Sequence, residues 1–178
     1  MDDLPSTICT ERLLLRPLQA GDACVLHRIY QAEGVLQYFP NPHPPSLEKV
    51  QRFISRQQAH WEQHGYGNWG VVRTEQENII GWAGLQFVPE LEETEVGFLL
   101  GRNFWRRGYA TEAAAASLHF GFEYFSLNHI IALVHPKNNA SIRVIEKCGM
   151  AYQDTLLLWG IELRRYRIDI IQWGNNRE

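Results

Sequence analysis

The apolar positions along the chain fall into blocks of two spacings, and each block predicts an element. Leu13-Leu14-Leu15-Arg16 is a short apolar run that reads as a first strand, ended by Pro17. Beyond Asp22, a residue type that caps helices, Val25, Leu26, Ile29 and Tyr30 recur at helical spacing. The stretch from Tyr38 to Pro45 holds Pro40, Pro42, Pro44 and Pro45. It cannot be a helix interior, because proline lacks the N–H donor and its ring collides with the preceding turn. Ser46 is placed to cap a longer helix with Leu47, Val50, Phe53, Ile54 and Trp61 on its apolar side. Gln57 interrupts that side, and His64-Gly65 closes the helix.

Three strands are predicted next, over Gly67 to Arg73, Ile79 to Phe87 and Glu93 to Leu100. The polar link Thr74 to Asn78 makes the first two a hairpin. An Arg- and Gly-rich turn then leads into an Ala-rich helix from about Ala110 to Phe125, apolar on more than one side and so expected to be buried. Ile130 to Val134 is a short strand. A small helix from Ala140 to Cys148 ends at Gly149, which suits a left-handed cap. Met150 to Leu158 and Glu162 to Trp173 read as two last strands joined by a tight turn. The order of elements predicts an α+β fold, a mixed and mostly antiparallel sheet with helices packed on it.

Composition narrows the classes of function. A chain of 178 residues, 45% hydrophobic, suggests a single domain, residues 1–178, with a real core. The net charge of −3 and the lack of a basic block argue against a nucleic-acid partner. Cys9, Cys24 and Cys148 are odd in number and lack metal-ligand spacing, so neither a disulfide framework nor a metal is expected. His60 and His64 lie four apart on a helix, half of a metal site, but no third ligand is evident. Met1-Asp2-Asp3-Leu4-Pro5 is acidic where a signal peptide needs a basic start, and no run approaches the ~18 residues of a membrane span. A cytoplasmic protein without a membrane partner is the expectation.

The segment from Val96 to Ala113 carries candidate chemistry. A strand enters a turn, Trp105-Arg106-Arg107-Gly108, and the turn opens a long helix. A helix start offers unpaired N–H groups and a partial positive charge, Gly108 lets a ligand approach the backbone, and Ala110 keeps the wall small. A pyrophosphate would fit such a cradle. So would no ligand at all, if the turn simply carries two solvated arginines.

A second segment, His135-Pro136-Lys137-Asn138-Asn139-Ala140-Ser141-Ile142-Arg143-Val144-Ile145-Glu146-Lys147-Cys148-Gly149-Met150, adds what the turn lacks. Taken with Trp105 to Ala113 and Thr10-Glu11-Arg12-Leu13-Leu14-Leu15-Arg16-Pro17, it resembles the GNAT superfamily of N-acetyltransferases. Within that superfamily it is similar to the RimJ/RimL-like branch of ribosomal-protein-alanine and related enzymes. The resemblance implies the GNAT fold, about seven strands flanked by about four helices, with the fourth and fifth strands splayed around acetyl-coenzyme A. It implies that Phe98, Leu99 and Leu100 pair with the pantetheine through main-chain groups. Arg106, Arg107, Gly108, Tyr109, Ala110 and Thr111 would hold the pyrophosphate, and Asn138 and Ser141 would meet the pantetheine arm from the other side. Read locally, Asn138 is also a turn residue and Ser141 a first-turn helix residue.

The resemblance further implies transfer of an acetyl group to a primary amine, at a protein N-terminus or on a small molecule, by direct attack on the thioester. An amine is largely protonated at neutral pH, so a group must take its proton. Glu95 matches the glutamate base of many relatives, and the competing reading is a solvated acid beside Glu90, Glu92 and Glu93. Ile145 stands where many relatives carry the tyrosine that protonates the departing thiolate. Ser141 is the candidate in its place, ahead of Tyr152. Tyr38, Phe39 and His43 are expected to border the acceptor site. No metal is implied, and a monomer or homodimer is expected. The rival function is a catalytically silent acyl-coenzyme A sensor.

Overall fold

The computed structural model describes residues 6–175. Its first half comprises β1 (Ile8–Cys9), β2 (Leu13–Pro17), α1 (Ala23–Gln31), α2 (Leu47–His64), β3 (Asn68–Arg73), β4 (Ile79–Val88) and β5 (Glu93–Leu100). The second half comprises α3 (Tyr109–Phe125), β6 (His129–Val134), α4 (Asn139–Lys147), β7 (Ala151–Leu158), β8 (Ile161–Asp169) and α5 (Ile170–Asn175). Eight strands form one sheet in the order β1-β2-β3-β4-β5-β6-β8-β7. The sequence led us to expect seven strands and four helices. The extra strand is β1, which pairs only Ile8 and Cys9 with Leu15 and Leu14 and is too short to show a period. The extra helix is α5: the last strand was expected to run to Trp173, but the chain turns helical at Ile170.

Every neighbouring pair of strands is antiparallel except β5 and β6. Parallel neighbours need a crossover, and α3 supplies it. One face of the sheet packs against α3 and α4 through a core that includes Trp69, Leu85, Val96, Leu118, Phe120, Ile130 and Ile168. The other face packs against α1 and α2, with Leu26, Val50, Ile54, Val72 and Leu99 at its centre. Alanines and Gly121 let α3 lie close to the strands. A methyl group added at Gly121 would fall 2.8 Å from side-chain atoms of both Leu85 and Ile130.

Local signals act largely as expected. Ser46 caps α2, its hydroxyl accepting from the Lys49 N–H at 3.4 Å. Gln57, the interruption on the apolar side of that helix, is buried and accepts the Asn68 N–H at 3.2 Å, so it ties α2 to the start of β3. Asp22 departs from expectation: it makes no side-chain cap on α1. It is buried, paired with both terminal nitrogens of Arg16 at 2.8 Å, and accepts the Gln19 N–H. Charge pairing has displaced the capping role.

His60 also finds a structural task. Its Nδ1 donates to the Tyr66 carbonyl at 2.8 Å and its Nε2 accepts the Phe87 N–H at 3.1 Å, so both ring nitrogens face the main chain. Burial, the largest influence, lowers its pKa, with the Tyr66 bond opposing and the neighbouring His64 adding to the shift. A ring engaged this way cannot be half of a metal site. Among the described residues no cluster of metal-ligating side chains occurs, and no helix is long and apolar enough to cross a membrane.

Candidate active site

β5 and β6 part soon after they meet. The two strands share a single register pair, Glu95 with Ile131, whereas β4 follows β5 as far as Gly81–Leu100 and β8 follows β6 as far as Val134–Arg164. Beyond Glu95, therefore, the edge of β5 that faces β6 has no ladder partner among the described residues. Phe98 and Leu100 turn their main-chain groups toward this edge, whereas those of Leu99 face β4, in register with Trp82. The Leu100 carbonyl is already engaged, accepting the Trp105 indole N–H at 2.7 Å.

Below the parting, polar side chains hold the strands together. Glu93 receives the His129 Nε2–H at 3.0 Å on one oxygen and Arg165 at 2.7 Å on the other, and Arg165 also pairs with Asp154. This network joins β5, β6, β8 and β7 one side-chain step below Glu95.

Strand alternation puts Glu95 on the α1/α2 face with Gly97 and Leu99. Its side chain keeps some access to solvent yet is enclosed by protein on nearly all sides. Burial pushes its carboxyl up to about 7, and a hydrogen bond from the Leu133 N–H opposes the shift only in part. A carboxyl that titrates near neutrality can both accept and release a proton at physiological pH.

The turn before α3 is built as a cradle. Arg106 and Gly108 both have positive φ, 60° and 80°, a conformation that glycine adopts without cost and arginine does not. The first hydrogen bond of the helix runs from the Glu112 N–H to the Gly108 carbonyl at 3.0 Å. The N–H groups of Tyr109, Ala110 and Thr111 thus have no main-chain acceptor among the described residues. Arg106, Arg107 and Gly108 are exposed beside them. Such alternating backbone and free donors favour an anion.

The amino-terminal segment locks this turn. Glu112 accepts from the Thr10 hydroxyl at 2.6 Å, the Arg12 N–H at 2.9 Å and the Arg12 guanidinium at 2.7 Å. The same guanidinium donates to the Arg107 carbonyl at 3.0 Å and lies 4.7 Å from the centroid of the Tyr109 ring. Thr10-Glu11-Arg12 and Tyr109-Ala110-Thr111-Glu112, two motifs about a hundred residues apart, are halves of one contact. Spacing along the chain could not reveal this.

On the far side of the gap, Asn138 accepts the Ser141 N–H at 3.1 Å and so caps α4. Its local role is real, and its amide nitrogen has no partner among the described residues. The Ser141 hydroxyl, half-buried, also has none. Ile145 is a core residue, 3% exposed, so nothing polar stands in the tyrosine slot. Tyr152 lies on the outermost strand, with β8 between it and β6, and bonds Thr155 at 2.9 Å. That position removes it as a stand-in for the missing tyrosine. Cys148, buried at the end of α4, is pushed up to about 11 by burial and is an unreactive packing residue.

A cavity of about 460 Å³ opens on the face that carries Glu95. Tyr30, Leu36, Phe53 and Trp82 form apolar walls, and Phe39 and His43, two of the three residues expected to border an acceptor, line it too. Tyr38 does not line it. Its ring lies 5.3 Å from that of His135, so the proline-rich loop reaches across to the residue that follows β6. Trp82 links the cavity to β5: a methyl group added at Gly97 would sit 3.3 Å from the indole. The Trp82 N–H donates to the Tyr30 hydroxyl at 3.0 Å, which sets the angle of the ring. Neither Trp82 nor Tyr30 was singled out from the sequence, where both read as ordinary core positions.

Comparison with known proteins agrees with this geometry. Residues 12–151 match the acetyltransferase (GNAT) domain. An uncharacterized N-acetyltransferase of Bacillus licheniformis, p20, is 30% identical over 164 residues, covering 91% of this chain and 90% of p20. An acetyltransferase from Agrobacterium tumefaciens superposes with a TM-score of 0.80 at 29% identity, covering 94% of this chain and 96% of that one. RimL, a ribosomal L7/L12 alpha-N-protein acetyltransferase solved in complex with coenzyme A, superposes at 0.76 over 93% of this chain and 97% of RimL. At 16% identity that last likeness concerns the fold alone. A domain match across most of the chain, joined to relatives that are themselves N-acetyltransferases, makes this protein a member of the GNAT family and an acyltransferase enzyme.

Proposed function

We propose that the chain acts as a single N-acetyltransferase domain that takes acetyl-coenzyme A as donor and acetylates a primary amine by direct attack on the thioester. The observation that carries this reading is the parting of β5 and β6 directly beyond Glu95, which leaves an unpaired strand edge next to a carboxyl titrating near neutrality. The residues present fit the donor. A cradle with a left-handed glycine and free N–H groups suits its pyrophosphate at Arg106 to Thr111. The open edge at Phe98 and Leu100 suits the pantetheine amides, with Asn138 and Ser141 across the gap, while Leu99 is turned toward β4. When bound, the donor supplies an acetyl group activated as a thioester.

The protein's own part is to orient and to move protons. Glu95 takes the proton of the incoming amine, directly or through water, at its carboxylate oxygen. Partial burial favours this role, because a carboxylate with a pKa near 7 is a stronger base than one in water and is still substantially ionised at neutral pH. Main-chain N–H groups along β5 can stabilise charge that develops on the carbonyl oxygen. Ser141, whose hydroxyl is uncommitted, stands nearest to the role that Ile145 cannot fill. Phe39 and His43 border the acceptor, with Tyr38 holding the loop in place against His135. The acceptor is a protein N-terminus or a small amine, in keeping with a RimJ/RimL-like enzyme. We place it in the cytoplasm as a monomer or homodimer, without metal, nucleic acid or membrane.

Incubation with acetyl-coenzyme A and a panel of amines tests the proposal through thiol release. Acetyl-coenzyme A should also raise the melting temperature where NAD and ATP do not. Stabilisation without thiol release from any amine would leave the protein an acyl-coenzyme A sensor. No stabilisation at millimolar concentration would overturn the donor itself.

A further inference from the structure

The cavity beside Trp82 has a charge pattern that its walls do not require. Lys49, Arg52, Phe53 and Arg56 recur at helical spacing on one side of α2, and all of them line it. Phe53 points its ring toward Trp82, with centroids 5.9 Å apart, while the three cationic side chains stand exposed around the mouth. No aspartate or glutamate lines the cavity. Arg52 has one exposed partner, Glu48 at 3.5 Å, a pairing that solvent largely screens. The side chains of Lys49 and Arg56 have no ion-pair or hydrogen-bond partner among the described residues. The whole chain carries a net charge of −3, so this gathering of positive charge is local and runs against the average.

An amine acceptor is itself a cation before it loses its proton. A cationic mouth repels a polyamine or an aminoglycoside along the approach to β5, and attracts a molecule that carries an anionic group beside its amine. The apolar walls, Trp82, Phe53, Tyr30 and Leu36, favour an aliphatic or aromatic body. From these observations we infer that the acceptor is a small amino acid-like molecule, with an apolar body in the cavity and a carboxylate at Lys49, Arg52 and Arg56. Its amino group is directed along Trp82 toward Gly97 and Glu95. A cavity of about 460 Å³ holds a molecule of that size. The inference rests on the acetyltransferase reading and narrows its acceptor.

Binding measurements separate the two. N-acetylphenylalanine carries the body and the carboxylate, N-acetyl-2-phenylethylamine carries the body alone, and N-acetylspermidine carries extra positive charge. Calorimetric titration at low salt should rank them in that order, with the acid about ten-fold tighter than its neutral counterpart, the scale expected of a few solvent-exposed charges acting together. The preference should shrink toward unity at high salt, and in a triple variant Lys49→Met, Arg52→Gln, Arg56→Gln. Those side chains are exposed, and an unchanged melting-temperature rise with acetyl-coenzyme A shows that the variant is folded. Equal binding of acid and neutral probe, or tighter binding of N-acetylspermidine, would overturn the inference.

Turnover gives the second arm. Phenylalanine should be acetylated with higher kcat/KM than 2-phenylethylamine, spermidine or an acidic hexapeptide, and a hexapeptide that outperforms phenylalanine would also overturn the inference. If acetyl-coenzyme A fails to bind while the acid probe still wins, the donor reading falls and the cavity's preference stands. If the donor binds and spermidine wins, the reverse holds.

Discussion

The turn before α3 and the cavity beside Trp82 are built in opposite ways. The cradle is contiguous: its donors, its left-handed glycine and its charges lie within Trp105 to Glu112, and one clamp from Arg12 and Thr10 holds them. The cavity draws on α1, the proline-rich loop, α2 and β4, and no short segment contains it. A helix start can present an anion site from a few residues because the backbone supplies the ligands. An acceptor pocket works with side chains, which only packing brings together. On the proposed reading, the cradle suits a feature common to many acetyl donors, and the cavity whatever distinguishes one acceptor from another.

If the two regions divide the labour in this way, substitutions should divide too. The largest effect is expected at Glu95, on the face that carries the cavity. Glu95→Gln should lower turnover by roughly 10²–10⁴-fold with little change in donor affinity. Only the ionised carboxylate can take a proton, so wild-type activity should fall as pH drops below about 7, and that limb should vanish in the variant. A Glu95→Gln enzyme with unaltered turnover and pH profile would take the base away from this residue. The raised pKa also carries a stability sign. The folded state holds the proton more tightly than the unfolded chain, so the carboxyl weakens the fold as pH rises from about 4.5 toward 7, and Glu95→Gln should remove that slope.

Gly108→Val should come next, and on the other side of the division. A β-branched residue at φ 80° is strained by about 1–3 kcal/mol, and its Cβ would lie 3.2 Å from the Arg12 guanidinium. Donor affinity should fall by roughly ten-fold or more as the turn shifts, read by calorimetry, while N-acetylphenylalanine still binds the cavity as before. Loss of both together would show that the regions are not separable.

Glu112→Ala tests the clamp. It leaves the Arg12 N–H without its acceptor and the Thr10 hydroxyl with only the Leu13 carbonyl at 3.2 Å, and a loss of about 1–3 kcal/mol is expected for such bonds to a charged group. In a chain of this size that is a fall of about 2–12 °C in melting temperature. Burial alone would raise the Glu112 carboxyl, but the bonds from Thr10 and Arg12 outweigh it and hold the carboxyl below its ordinary range. Its contribution is thus present above pH 4.5 and lost as pH falls through the lowered value, so wild type and variant should converge in acid. Arg106→Ala should have the smallest effect, a few-fold loss of donor affinity that fades with added salt, because the side chain is exposed.

Much of this was legible in the order of residues. Ser46 caps its helix, the proline-rich stretch stays irregular, and Gly108 opens α3 in the conformation that the cradle needs. These are local matters, set by which dihedral angles and which nearby donors a residue type allows. Asp22 and Gln57 were harder. Asp22, itself buried, prefers the Arg16 guanidinium to its own helix, and Gln57 is polar on an apolar side because a strand amide needs an acceptor there. Their partners are distant enough along the chain that no periodicity marks them.

By itself, then, the sequence determined the kinds and order of all the elements except β1 and α5, the glycine that opens α3, and Glu95 as an acid on a strand. Each depends on neighbours within a few residues, where backbone geometry and side-chain type suffice. Tertiary structure alone fixed the parting of β5 and β6, which the family resemblance implied, at the point just beyond Glu95, lifted this carboxyl to about 7 by burial, and brought Arg12 to grip the turn about a hundred residues away. It also decided that Trp82, Phe53 and three cations of α2 share one cavity. Solvent exclusion and charge are properties of a packed volume, and they take values only when distant segments enclose the same space.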